Sequence, residues 1–95
     1  MTTTHQVHCH KPDNADVDRR IQGIGGVNPD GTRWYLTIDQ AIADITSKKY
    51  AFYVEVQRRR VEVVVKRHPT TQRLYLTTEG DGFPPNNLLS LPVCP

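Results

Sequence analysis

Only one stretch of this chain carries the apolar period of a helix, and one helix cannot bury itself. Ile38, Ala41, Ile42 and Ile45 fall at i, i+3, i+4 and i+7, which makes a single apolar stripe. A stripe of that kind needs a sheet to cover it, so the fold class is α+β. Thr37 and Gln40 have the spacing of a capping box, in which the hydroxyl and the amide side chain each satisfy a backbone N–H. Asp39 near the start and Lys48 and Lys49 near the end suit the helix dipole. The helix is therefore expected over residues 37–49.

The rest of the chain reads as strands and turns. In residues 5–10, Val7 and Cys9 alternate with His8 and His10, giving one apolar and one imidazole face. Residues 20–27 form a second strand, where Gly23, Gly25 and Gly26 indicate a bulge or a close backbone approach. Asn28-Pro29-Asp30-Gly31 is a turn, and residues 32–36 return from it as the other half of a hairpin. Beyond the helix, residues 52–57 place Phe52, Val54 and Val56 on one face, and residues 61–66 do the same with Val61, Val63 and Val65. The connection between them lacks glycine, which leaves its turn type open. Residues 73–78 supply a last strand. From Glu79 onward, glycine, proline and asparagine argue against regular structure, while Leu88, Leu89 and Leu91 argue that the tail packs on the body. The expected architecture is about six short, mostly antiparallel strands with one helix on one face and an ordered C-terminal tail. It is a single domain over residues 1–95, with residues 1–4 flexible.

Composition narrows the function classes. An apolar fraction of 37% and a charged fraction of 23% suit a folded domain. No apolar run approaches the ~18 residues of a membrane span. The first residues lack a basic segment followed by an apolar one, so no signal peptide is expected and the location is taken as cytoplasmic. There Cys9 and Cys94 are expected as reduced thiols, with Cys9 a small buried hydrophobe. A net charge of +2 is mild for a nucleic-acid binder. Its distribution is uneven: Asp13, Asp16 and Asp18 cluster early, and the basic residues form later blocks.

Several constellations are candidates for chemistry. His8 and His10 on one strand face would lie roughly 6.5–7 Å apart and would suit a shared metal ion. No third ligand is adjacent, and a solvated strand face is the favoured reading. Ile24-Gly25-Gly26 lacks the further glycines and the following helix of a phosphate loop, so close backbone approach is favoured. Arg58, Arg59 and Arg60, with Lys66 and Arg67, would contact nucleic-acid phosphates, and Trp34, Tyr35, Tyr50 or Tyr53 would stack on bases. The competing reading is a solvated turn. Asp81 with Asn86 and Asn87 is a poor cation cage, and an asparagine satisfying backbone groups of the tail is favoured. No triad or carboxylate pair stands out. Neither an enzyme nor a cofactor is expected.

A set of residues spread along the chain carries a resemblance. It comprises Cys9 with Lys11-Pro12-Asp13, Arg20-Ile21, Ile24-Gly25-Gly26, Gly31, Trp34, Ala41-Ile42 and Ile45. It continues with Phe52-Tyr53-Val54, Tyr75-Leu76, Thr78 and Asp81, and ends in Asn87-Leu88-Leu89-Ser90-Leu91-Pro92 with Cys94-Pro95. This pattern resembles a family of short, uncharacterised bacterial proteins that end in an Asn-Leu-x-x-Leu-Pro signature. The resemblance implies a bacterial, cytoplasmic α+β domain in which Gly25, Gly26, Trp34, Asn87, Leu88, Leu91 and Pro92 are structural. It implies no activity. The leading expectation is a small non-enzymatic module that binds a protein partner or its own copy through a sheet edge. The alternative is phosphate binding through the basic hairpin 58–60.

Overall fold

The computed structural model describes residues 2–15, 19–83 and 85–94. Asp16 and Asp18 of the early acidic cluster, and the terminal Pro95, lie outside the described residues. The elements run β1 (Thr3–Gln6), β2 (Cys9–Pro12), β3 (Ile21–Val27), β4 (Arg33–Thr37), α1 (Ile38–Thr46), β5 (Tyr50–Val56), β6 (Arg59–Arg67), β7 (Leu74–Thr78) and α2 (Asn86–Leu89). The fold is mixed α+β, and the described residues form seven strands in two sheets instead of about six in one. One sheet has the order β1-β5-β6-β7 and the other β2-β3-β4. The named strands pair antiparallel except β1 with β5, which is parallel.

The additional strand comes from a change of partner inside the first one. Successive residues of an extended chain turn their N–H groups to opposite sides. The Val7 N–H donates to the Tyr53 carbonyl at 2.8 Å, and the next N–H, of His8, donates to the Gly25 carbonyl at 2.9 Å. The chain thus leaves one sheet and joins the other within two residues, and the expected strand 5–10 becomes β1 and β2. The two sheets share one core, in which Ile21 and Ile24 meet Phe52, Val54, Val63 and Leu76.

Helix α1 closes that core with Ile38, Ala41 and Ile42. Its capping box is formed as expected: the Gln40 N–H donates to Thr37 Oγ1 at 3.2 Å, and the Thr37 N–H donates to Gln40 Oε1 at 3.3 Å. The helix ends at Thr46, three residues short of the expectation, because Lys48 takes a left-handed conformation at φ 62°. The Lys48 and Lys49 N–H groups then fold back to the Ile45 and Asp44 carbonyls, the Schellman arrangement with lysine where glycine is usual.

The tail is ordered and is more regular than expected. Residues 86–89 make one helical turn that buries Leu88 completely. Farther on, the His10 N–H donates to the Pro92 carbonyl and the Cys94 N–H to the His10 carbonyl, so the tail lines the outer edge of β2. This pairing sets Cys94 beside Cys9, and the two form a disulfide. The expectation of reduced thiols is corrected. A separation of 85 residues hides a contact that only the tail's path creates.

Candidate interaction site

The histidines expected to share a face do not. His8 is exposed, and its Nδ1 accepts from the Val27 N–H at 3.2 Å. His10 is only 4% exposed. Burial lowers its imidazole below the ordinary value, and a hydrogen bond to the Leu91 backbone offsets part of the effect. The chain's change of sheet at residues 7–8 breaks the simple alternation from which a shared face was inferred. Among the described residues, no group of three or more His, Cys, Asp or Glu is arranged to hold a metal ion.

The basic residues are also dispersed. Arg58, Arg59 and Arg60 lie at one end of the β5–β6 hairpin, whereas Lys66 and Arg67 end β6. Arg60 and Lys66 are six residues apart on an extended strand, about 20 Å. Arg60 lies over the Tyr53 ring at 4.1 Å and pairs with Glu62 at 3.4 Å. Lys66 Nζ donates to the Asp81 carbonyl at 2.7 Å. Two of the five cations thus have partners of their own, and the five do not form one patch.

Asp81 and Asn87 hold the tail. The Asp81 carboxylate accepts from the Gly82 and Asn87 N–H groups at 3.0 and 2.9 Å, and Asn87 Nδ2 donates to Thr78 Oγ1 at 2.7 Å. Gly25 carries the disulfide: a Cβ built there would lie 2.9 Å from Cys9 Sγ and 3.1 Å from Cys94 Sγ. Gly25 and the tail thus act on one structural feature, whereas Gly26 lies against the Gln6 carbonyl and the Trp34 ring.

The sheet edges differ in how they are covered. Strand β7 is enclosed, with Tyr75, Leu76, Thr77 and Thr78 all buried. The tail covers β2. Strand β1 is four residues long and polar, and the chain bonds β3 as soon as it passes Val7. Strand β4 ends its sheet, and none of the described residues pairs beyond it.

Which groups β4 offers follows from its hairpin. The Asn28 N–H donates to the Thr32 carbonyl at 2.8 Å, and Gly31 closes the loop at φ 91°. Antiparallel pairs alternate between hydrogen-bonded and non-hydrogen-bonded. The register pairs Gly26 with Trp34 and Ile24 with Leu36, which are bonded pairs, and Val27 with Arg33 and Gly25 with Tyr35, which are not. Arg33 and Tyr35 therefore turn their N–H and C=O groups away from β3. No described backbone group bonds them. Thr37 would be the third such residue, but Gln40 already holds its N–H.

The side chains alternate in step. Arg33 and Tyr35 lie on the outer face, where Tyr35 is 45% exposed and packs its ring over Gly23. Trp34 and Leu36 face inward. The Trp34 ring lies 5.5 Å from Phe52 and 5.7 Å from His5. Beside it a cleft of about 220 Å³ is lined by His5, Asn28, Trp34, Leu36, Tyr50 and Phe52. Sequence reasoning named sheet edges in general and missed this one. The signal was present in the turn, because a hairpin loop fixes which residues of the returning strand face outward.

Residues 7–92 match the family described as protein of unknown function (DUF3892), which spans nearly the whole chain. No curated protein and no solved structure matches.

Proposed function

We propose, from the premise that this chain belongs to the DUF3892 family of proteins of unknown function, that it is a small non-enzymatic interaction module that docks an extended strand along β4. The observation that supports this reading is the pair of outward residues Arg33 and Tyr35. Their backbone groups are unpaired on an otherwise regular strand. Unpaired edges of this kind accept a further strand through main-chain hydrogen bonds, while alternate side chains set specificity. Nature blunts unwanted edges with bulges, prolines or inward charges, and β4 has none of these between Arg33 and Thr37.

Nothing favours the phosphate-binding alternative, since the cations named for it are dispersed between the β5–β6 loop and the two ends of β6. A cytoplasmic location draws no support from the Cys9–Cys94 disulfide, because reducing compartments keep thiols reduced. No described helix is long and apolar enough to cross a membrane.

Photo-crosslinking in cells tests the reading. A benzoylphenylalanine at position 35 should give discrete crosslinked products, and one at position 59, on the hairpin, should give none. Products from position 59 alone would contradict docking at β4.

A further inference from the structure

We infer that the strand received by β4 is β4 of a second copy of this chain, antiparallel about a two-fold axis beside Trp34. This rests on the strand-edge reading above and deepens it by naming the partner.

Each edge offers four free backbone groups, the N–H and C=O of Arg33 and of Tyr35. With the axis beside Trp34, Arg33 of one copy stands opposite Tyr35 of the other, twice. Both are then hydrogen-bonded pairs, and all eight groups are satisfied. An axis through Tyr35 would set Arg33 opposite Thr37, whose N–H is committed to Gln40 Oε1 at 3.3 Å. That register satisfies the central pair and leaves the flanking ones incomplete. The capping box of α1 thus selects between the two.

The side chains agree with the selected register. Residues directly opposite each other share a face, so the Arg33 guanidinium lies beside the Tyr35 ring of the second copy on the outer surface. Such a pairing is a favourable cation–π geometry. On the inner face, the two Trp34 residues form the close, non-hydrogen-bonded pair, with Cα atoms about 4.5 Å apart. There the indole of the second copy lies beside the cleft lined by Trp34, Leu36, Tyr50 and Phe52 and covers its rim. An acidic extended peptide would meet Arg33 equally well, but it would leave that cleft to chance.

Sedimentation equilibrium on the purified full chain tests the inference. The wild type should show a monomer–dimer equilibrium. Tyr35→Pro should weaken it at least tenfold, because the lost N–H faces outward and is absent from the β3–β4 ladder. Arg33→Glu, which leaves the backbone intact, should weaken it at least threefold, and both variants should keep the wild-type circular dichroism. In a mixture of labelled and unlabelled chains, an intermolecular contact between the two Trp34 α protons should appear. A wild type that is monomeric at every concentration, or a dimer indifferent to both substitutions, overturns the inference. If the purified chain is monomeric while position 35 crosslinks to a different protein in cells, the second copy is excluded and strand docking at β4 stands. If neither is seen, both fall.

Discussion

Gly25 ties together three parts of the sequence that lie far apart. It pairs with Cys9 on one side and Tyr35 on the other, and it leaves room for the sulfur of Cys94. A methyl group there would meet both sulfurs and the Trp34 carbonyl at 2.9–3.1 Å. None of these neighbours is the loose end of a flexible chain. Gly25→Ala should therefore destabilise the fold by about 1–3 kcal/mol in urea melts. Gly82→Ala, with open space around it, should leave stability unchanged or slightly higher. Close approach at this glycine was legible in the sequence. The atoms approaching it were not, because a disulfide partner 85 residues away has no local signature. His10 gives a second prediction at this scale. Its folded pKa is lowered, chiefly by burial, so the unfolded chain binds a proton that the folded one resists. The stability it contributes is full above the unfolded value of about 6.5 and is lost as pH falls below it. Melting temperatures of the wild type should fall between pH 7 and pH 5, and His10→Gln should flatten that slope.

Turns and caps decide where the elements stop. The β5–β6 connection is a two-residue loop, since Val56 pairs with Arg59. Gln57 and Arg58 hold φ values of 50° and 66°, a left-handed conformation that favours asparagine and glycine. With no glycine in the loop, the sequence left the turn type open, and tertiary pairing imposed it. Gln57→Asn with Arg58→Gly should stabilise the chain by about 1 kcal/mol in thermal melts. The helix was legible in type and capping because its stripe and its box are local. Its end was not, since Lys48 takes a place that glycine usually marks. The free edge of β4 belongs to the same scale. The hairpin turn sets its parity, and the capping box removes Thr37 from the groups it offers.

Across the whole molecule, the tail converts a sheet with two open edges into one with a single open edge. It pairs with β2, buries Leu88 in the common core and is fastened by the Cys9–Cys94 disulfide. That link closes nearly the full length of the chain, so its removal frees the unfolded state most where loops are longest. Cys9→Ser with Cys94→Ser should cost about 2–4 kcal/mol in urea unfolding, and reduction of the wild type should reproduce the loss. The class of the fold and the packing of the tail followed from the sequence. The division into two sheets did not, because the pattern of residues 5–10 reads as one strand and the change of partner is a long-range event. The edge of β4 remains open among the described residues. Amide hydrogen exchange across a concentration series reads it residue by residue. The Trp34 and Leu36 amides, which face β3, should exchange slowly at every concentration. The Arg33 and Tyr35 amides should exchange fast when dilute and slow together as concentration rises. Arg33 and Tyr35 amides that exchange equally fast throughout the series would contradict the claim that β4 of a second copy docks on this edge.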